Sequence, residues 1–167
     1  MAGLMEMNPR RKIMSFEKAL AWRNKILRSG RKLVVTNGCF DLLHRGHAEY
    51  LSNARRCGDA LLILVNSDSS VRKVKGRNRP IVDEKDRSFL LASLSCVDAV
   101  VIFGASNCVG LLRKIRPDIY VKGGDYDIDS IVQEERGVLE AVGAKIRFIK
   151  FVPGLSTTEI LKKISRG

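Results

Sequence analysis

The chain contains two histidines, His44 and His47, which lie three residues apart with Gly46 between them. A short apolar run and a turn-like segment (37–41) precede them, and a segment with helical spacing follows. This order predicts a strand, a glycine turn and a helix whose first turn carries both imidazoles. Side chains three apart at a helix start share one face, beside free backbone N–H groups that favour an anion. The pair therefore suits phosphate binding by imidazole N–H donors.

Two other interpretations of the histidine pair stay open at this point. Histidines at this spacing can share a metal ion, with Cys39 or Asp41 as further ligands. The chain has no third histidine, however, and its four cysteines form no close pair, so we assign no metal ligand. The pair could also be a chance cluster of structural histidines. A strand, glycine turn and helix is nevertheless where ligand sites concentrate in α/β proteins, which favours the phosphate site.

Alternation of apolar and amphipathic segments predicts the elements that position this pair. The predicted strands are 32–36, 60–66, 98–103, 118–122 and 145–151, and the predicted helices are 16–29, 46–57, 84–95, 106–115, 129–142 and 156–165. Apolar strands separated by amphipathic helices indicate a parallel sheet covered on both faces. We therefore predict an α/β protein with a doubly wound, five-stranded parallel sheet of Rossmann-like type. Residues 13–167 would form this single domain, and residues 1–12 a flexible N-terminal lead.

The formal net charge of +12 is concentrated near the two ends of the chain and in a run at 72–79. Such a balance suits a polyanionic partner, either nucleic acid or phosphorylated small molecules. Aromatic residues make up only 6% of the chain and are not interleaved with the basic run, which disfavours nucleic-acid recognition by stacking. The absence of a long apolar run and of a signal-like start predicts a cytoplasmic protein without a membrane partner.

The loops that follow the predicted strands (37–47, 67–80, 123–128 and 152–157) should face one cleft. The second of them holds a basic run, in which Lys75 and Arg79 could bind a phosphate, although such runs are often only solvated surface. Lys122 ends a buried strand and therefore needs an anionic partner. In the last loop, three consecutive hydroxyl residues behind Gly154 exceed what helix capping needs, and they suit a phosphate seat at the helix start.

The segment 37–47 resembles the signature of the cytidylyltransferase-like nucleotidyltransferase superfamily. The segments 77–81, 121–126 and 154–158 resemble the D-glycero-β-D-manno-heptose 1-phosphate adenylyltransferases, which make ADP-heptose for lipopolysaccharide or other surface glycans. The resemblance runs from about residue 13 to the end of the chain. It implies transfer of a nucleoside monophosphate from ATP to a sugar 1-phosphate with release of pyrophosphate, with Mg²⁺ carried mainly by the nucleotide phosphates. It further implies a homodimer and a separate sugar kinase that supplies the substrate.

Two alternatives to this function remain. Many adenylyltransferases of the superfamily have a basic residue where Ile160 stands, which leaves open a cytidylyltransferase acting on glycerol 3-phosphate or a similar phosphate. The non-enzymatic alternative, a basic module that binds nucleic acid, depends on the net charge alone.

The resemblance also assigns roles to particular residues. His44, His47 and Lys122 would be catalytic, and Lys75 and Arg79 would bind the sugar phosphate. Asp41 would order the turn or bound Mg²⁺, whereas Arg87 is as consistent with a structural role. The predicted nucleotide-binding residues are Thr36, Gly38, Cys39, Phe40, Asp41, His44, Gly46, His47, Lys122, Gly123, Gly124, Asp125, Ser156, Thr157 and Thr158.

Overall fold

Strands and helices alternate along the chain in a computed structural model that describes residues 8–124, 131–150 and 154–166. The strands are β1 (Leu33–Gly38), β2 (Ala60–Asn66), β3 (Ala99–Phe103), β4 (Ile119–Gly123) and β5 (Lys145–Ile149). The helices are α1 (Phe16–Arg28), α2 (Arg45–Arg55), α3 (Asp68–Lys75), α4 (Glu84–Ser93), α5 (Val109–Ile115), α6 (Gln133–Ala141) and α7 (Thr157–Ile164). Among these described helices, none is long and apolar enough to cross a membrane.

The five strands form one parallel sheet in the order β3-β2-β1-β4-β5, which confirms the predicted doubly wound fold. The chain first builds outward from β1 to β3 and then crosses to the other side of β1 to form β4. The crevice between the carboxyl ends of β1 and β4 is therefore the topological switch point, where open α/β sheets bind their ligands.

Apolar side chains on both faces of the central strands explain why the sheet is sandwiched between helices. On one face, Leu33 and Val35 of β1 pack in a cluster with Ala19 of α1 and Leu112 of α5. On the opposite face, the alternate residue Val34 packs in a second cluster. That second cluster includes Leu51 and Ala54 of α2 and Leu91 of α4. Because successive strand residues point to opposite faces, each apolar strand supplies both cores.

Aspartates at the amino ends of the strands hold neighbouring strands in register. Asp118, directly before β4, accepts a hydrogen bond of 2.8 Å from the backbone N–H of Leu33 at the start of β1. Asp98, directly before β3, accepts one of the same length from Leu61 in β2. These bonds satisfy backbone N–H groups at the amino ends of the strands, which would otherwise lack a partner in the neighbouring strand.

The segment 67–80 differs from the predicted loop, because helix α3 occupies Asp68–Lys75. Ser67 caps this helix by accepting a hydrogen bond of 3.2 Å from the Ser70 N–H, and Asp68 stands in its first turn, where a carboxylate is favoured. Val71 is fully buried and anchors the helix to the protein. Polar residues that resemble a loop in the sequence thus form a capped helix with one anchoring side chain.

Part of the predicted N-terminal lead also has regular structure. Residues Pro9–Lys12 form a short 3-10 helix, and the Lys12 ammonium donates a hydrogen bond of 3.1 Å to the Leu94 carbonyl. The backbone N–H of Met14 then donates to the Val100 carbonyl at the open edge of β3. Residues 1–7 lie outside the described part of the chain.

Candidate functional site

The two histidines lie at the start of α2, close to the carboxyl end of β1. His44 is the N-terminal cap residue of α2, and its side chain makes no capping hydrogen bond to the helix. The two imidazoles stack with their ring centroids 3.9 Å apart and an interplanar angle of 27°. The structure therefore brings both rings to a helix start that no side chain caps, and free N–H groups at such a position favour an anion.

Burial favours the neutral form of both imidazoles. It lowers the pKa of His44, and it lowers the pKa of His47 to about 4, with further contributions from His44 and from the charge of Lys75. The buried Nδ1 atom of His44 has no hydrogen-bond partner among the described residues, and that of His47 has no well-aligned one, although the Leu42 backbone lies close enough to raise its pKa slightly against the other effects. Buried polar atoms are nearly always hydrogen-bonded in native proteins, so such atoms mark a place where a ligand or water completes the structure.

We predict that His47 makes the protein less stable in acid. The folded-state pKa of about 4 lies below the ordinary value of 6.5, so below pH 6.5 the unfolded chain takes up a proton that the folded chain does not. The contribution of neutral His47 to the free energy of unfolding is fully present above pH 6.5. It declines as the pH falls towards 4, by up to roughly 3 kcal/mol. Urea unfolding at several pH values should therefore show a steeper loss for the natural chain than for His47→Gln. Parallel curves for the two proteins would contradict this prediction.

The turn before α2 has an unusual backbone at Phe40, whose φ is +49°. Its ring lies edge-on to His47, with the ring centroids 5.3 Å apart. A Cβ atom on Gly38 would come within 2.9 Å of the Phe40 ring, so residue 38 must be glycine for the ring to lie there. Left-handed backbone at a bulky residue is costly and persists only when its surroundings enforce it, commonly at functional sites.

Asp41 holds this turn to the segment that precedes α4. Its Oδ1 atom accepts hydrogen bonds from the backbone N–H groups of Ile81 (2.7 Å) and Val82 (3.0 Å). Its Oδ2 atom lies 2.6 Å from Nε of Arg79. Asp41 thus orders the turn, which is one of the two roles considered for it. Arg79, expected at the sugar phosphate, is neutralised by Asp41, and its contact with a ligand stays a prediction.

Lys75 at the end of α3 lies near the segment 37–47, which we call the histidine turn. Its positive charge helps to lower the pKa of His47. Burial raises the pKa of the Cys39 thiol, and the charge of Lys75 opposes part of that rise. Cys39 is consequently a protonated thiol at neutral pH rather than a nucleophile or a thiolate ligand. Lys75 is exposed and remains the cation best placed to meet an anion bound at the imidazoles.

Lys122 belongs to a buried polar network on the far side of the switch-point crevice. Its ammonium lies 3.2 Å from Oδ1 of Asn37 and 3.3 Å from Oε2 of Glu135. The Tyr120 hydroxyl donates to the same Asn37 oxygen at 2.6 Å, and the Cys108 thiol donates to Glu135 at 3.2 Å. The anionic partner that Lys122 requires is therefore present within the chain, on α6. Its direct contact with a nucleotide stays a prediction.

Sequence reasoning missed Asn37, Tyr120 and Glu135 as members of this site. Asn37 was treated only as part of a turn, although its place one residue before Gly38 at the switch point is a usable signal. Glu135 is 3% exposed, yet in the sequence it resembles any other acidic residue of an amphipathic helix. Only the packing of α6 against α5 and β5, with the Glu135 carboxylate beside Lys122, shows that this side chain points inwards.

The remaining predicted residues lie at different distances from the histidine pair. Leu155 packs against the start of α2, which brings the hydroxyl segment (156–158) to that helix. The Ser156 side chain caps α7 by accepting a hydrogen bond of 3.1 Å from the Glu159 N–H. Thr36 is fully buried, and its hydroxyl lies 2.7 Å from the Tyr50 hydroxyl, so it supports the site from inside the core. Gly123 ends β4 and Gly124 follows it directly, whereas Asp125 lies outside the described residues.

We predict that Gly46→Ala reduces activity without unfolding the protein. A Cβ atom at residue 46 would lie 3.0 Å from the His44 ring and 3.3 Å from Cβ of Leu155, so the ring or the hydroxyl segment must shift. A displacement near 1 Å can cost roughly 100-fold in rate, whereas alanine itself favours the helix. Steady-state kinetics and thermal unfolding would be measured together, with Gly110→Ala on α5 as the control, because a Cβ there meets no atom within 4 Å. Full activity of Gly46→Ala would show that the ring position is not critical.

Comparison with known proteins supports the resemblance seen in the motifs. Residues 35–163 match the family model described as cytidylyltransferase-like. The chain is 47% identical over 155 residues to the bifunctional protein HldE of Helicobacter pylori strain J99, which covers 93% of this chain and 32% of that protein. It is 48% identical over 135 residues to the bifunctional protein HldE of Citrifermentans bemidjiense, covering 81% of this chain and 27% of that one. The chain thus spans about a third of the length of these curated relatives.

A solved structure agrees with the fold. The crystal structure of the lipopolysaccharide core biosynthesis protein from Thermoplasma volcanium GSS1 superposes with a TM-score of 0.61 at 29% identity, covering 74% of this chain and 98% of that one. The family model, the relatives and this structure agree with the family that the motif around the two histidines indicated. The chain belongs to the cytidylyltransferase-like family.

Proposed function

We propose that the protein transfers the adenosine monophosphate part of ATP to a sugar 1-phosphate, releasing pyrophosphate. The observation that carries this proposal is the stacked, neutral pair of His44 and His47 at an uncapped helix start beside the switch-point crevice. The motifs shared with heptose 1-phosphate adenylyltransferases make heptose 1-phosphate the acceptor and ADP-heptose the product. The curated relatives and the lipopolysaccharide core protein support the same assignment.

The chemistry requires alignment rather than an activating base. The second ionisation of a phosphate monoester lies near pH 6, so the sugar phosphate is already a dianionic nucleophile at neutral pH. Its oxygen attacks the α-phosphorus of ATP, and the bond from that phosphorus to the bridging oxygen of pyrophosphate breaks as the new P–O bond forms. His44 and His47 donate N–H bonds to the phosphate oxygens, and these bonds strengthen as negative charge grows in the transition state.

Mg²⁺ would enter with the nucleotide and neutralise charge on its phosphates, held mainly by their oxygens and water. Asp41 is the acidic side chain of the histidine turn, and its two oxygens are engaged by Ile81, Val82 and Arg79. The donor set around the imidazoles therefore fits an ion that arrives on phosphate oxygens. A sugar kinase would supply the acceptor, and a homodimer is the expected assembly.

A substrate panel tests this proposal. The purified chain is given ATP or CTP with heptose 1-phosphate, glycerol 3-phosphate or glucose 1-phosphate, and pyrophosphate release is followed in the presence of Mg²⁺. We expect the highest kcat/KM for ATP with heptose 1-phosphate. A preference for CTP with glycerol 3-phosphate would favour the cytidylyltransferase alternative, which Ile160 in the last motif leaves open. Failure of every pair to release pyrophosphate would reject nucleotidyl transfer itself.

A further inference from the structure

A second concave site lies at the end of the sheet opposite to the histidines. This cleft of about 830 Å³ is formed where β1, β4 and β5 begin, between α1 and the turn 115–118 that leads from α5 into β4. We call it the basal cleft. The histidine pair lies beyond the carboxyl ends of the same parallel strands. Strands of five or six residues span roughly 17–20 Å, so one small ligand cannot occupy both places.

Positive charge dominates the basal cleft. Its basic lining residues are Arg23, Lys32, Lys114, Arg116, Lys145 and Arg147. Among the lining residues, Asp118 is the single acidic one, and its carboxylate accepts a hydrogen bond from the Leu33 N–H and lies 3.1 Å from Nη1 of Arg23. The acid and one guanidinium neutralise each other, and Lys114 lies close enough to Glu17 of α1 to help lower the pKa of that carboxyl, which leaves four further cations around one cavity. Like charges that line one cleft repel each other and attract an anion into it.

The turn that presents Arg116 is held in a defined conformation. Arg23 is buried, and its guanidinium donates to the carbonyls of Ile115 (3.2 Å) and Arg116 (2.9 Å). Arg116 itself has left-handed backbone with φ of +50°, which is uncommon and costly for a residue other than glycine. The same two donor contacts neutralise carbonyls at the end of α5, where the negative end of the helix dipole would otherwise oppose an anion.

The lining also indicates the size and type of the ligand. Leu20, Leu27 and Ile119 provide apolar surface beside the cations. The cavity volume is within the range of small-molecule sites. Aromatic side chains, on which single-stranded nucleic acids stack, are missing from the described lining. Cations beside apolar surface match a compact molecule with a charged phosphate end and an organic body.

We propose that the basal cleft binds a small phosphorylated molecule carrying at least two phosphate groups, of the class of nucleoside di- and triphosphates, at a site separate from the histidine pair. The proposal does not depend on the proposed reaction. Substrates and products of that reaction nevertheless belong to the same chemical class, so the basal cleft would let their concentration act on the enzyme from a distance.

Calorimetric titration of the full chain tests the proposal, with ADP, inorganic pyrophosphate and a single-stranded 20-mer DNA as probes. The double variant Lys145→Glu/Arg147→Glu reverses two exposed charges in the basal cleft. The matched control, Arg11→Glu/Lys18→Glu, reverses two exposed charges on another face. A second cleft variant, Arg116→Gly, removes a cation where left-handed backbone favours glycine, so it should fold at least as well as the natural chain.

We expect two ADP molecules to bind per natural chain. Both cleft variants should weaken one of the two sites at least tenfold, whereas the control and His47→Ala should leave that site unchanged. Absence of any ADP site that the cleft variants weaken, or equal binding by the cleft variants and the control, would overturn the proposal. Tight, sequence-independent DNA binding that needs the same cations, without an ADP site, would overturn it in favour of a nucleic-acid surface. Loss of pyrophosphate release in the substrate panel would leave this result unaffected.

Discussion

His47→Ala should lower kcat by roughly 10²–10³ while the protein remains folded, because a preorganised donor to transition-state charge contributes about this much. His47 is neutral at neutral pH and stacks on His44, so its removal takes away one N–H donor without stranding a buried charge. The KM for ATP should change less than kcat, since the donor acts mainly on charge that develops during the reaction. Single-turnover kinetics of pyrophosphate release would measure the chemical step directly.

Two companion variants make this result interpretable. Cys96→Ser changes a half-buried thiol between α4 and β3, at the amino end of the sheet and outside the predicted site, and it should stay within about threefold of the natural rate. The double variant His44→Ala/His47→Ala should lose less than the product of the two single losses, because the stacked rings act as one unit. Full turnover by His47→Ala would show that the histidine pair has another role even though the fold is unchanged.

The fold was predictable because its signals are local. The strand Ala60–Asn66 is buried along its whole length and apolar up to its last residue, and the intervening helices have a clear apolar face. Helix α3 was missed because its evidence is different in kind: eight largely polar residues depend on the Ser67 cap and on the burial of Val71. Capping and one anchoring contact stabilise a short helix without producing a visible period.

The candidate site was predictable only in part, because the pairing of its charges is not local. The residue types and spacing of the histidine turn are enough to identify it as a candidate site. The sequence of the basic run does not show which of its cations are paired. Arg79 is neutralised by Asp41, 38 positions earlier, whereas the charge of Lys75 helps to lower the pKa of His47. Likewise, Lys122 meets Glu135, 13 positions further along the chain, only because α6 packs against α5 and β5. A cation in a sequence indicates that an anion is needed, and only the structure decides whether the chain supplies it.

Several cations beside the switch-point crevice are paired with carboxylates of the same chain before any ligand binds. Around the histidines, Arg79, Arg87 and Lys122 each face a carboxylate of the same chain. These ion pairs join segments of the chain: Arg79 joins the segment before α4 to Asp41, Arg87 joins α4 to the start of α3, and Lys122 joins the end of β4 to α6. In the proposed reaction, a triphosphate would meet neutral imidazoles, uncapped N–H groups and Lys75 rather than a bare cluster of cations. The ion pairs within the chain would hold the crevice in position for catalysis by alignment.

Arg87→Met should destabilise the protein by about 3–5 kcal/mol, the cost typical of breaking a buried ion pair from one side. The Arg87 side chain is fully buried, and it donates to the carbonyls of Val82 and Cys39 and to the Asp68 carboxylate at 2.8 Å. Methionine keeps much of the volume but leaves all three oxygens without this donor. Urea unfolding should show a lower midpoint with an unchanged slope.

The control for this prediction is Lys162→Met on α7, which breaks an exposed pair with Glu159 at 2.9 Å. Solvent-exposed pairs contribute little, so this change should cost at most about 0.5 kcal/mol. Because Arg87 also holds the Cys39 carbonyl within the histidine turn, Arg87→Met should lose activity at temperatures where it is still folded, whereas Lys162→Met should not. A loss of stability below about 1 kcal/mol, or unchanged kcat in the folded variant, would mean that the turn keeps its shape without the guanidinium.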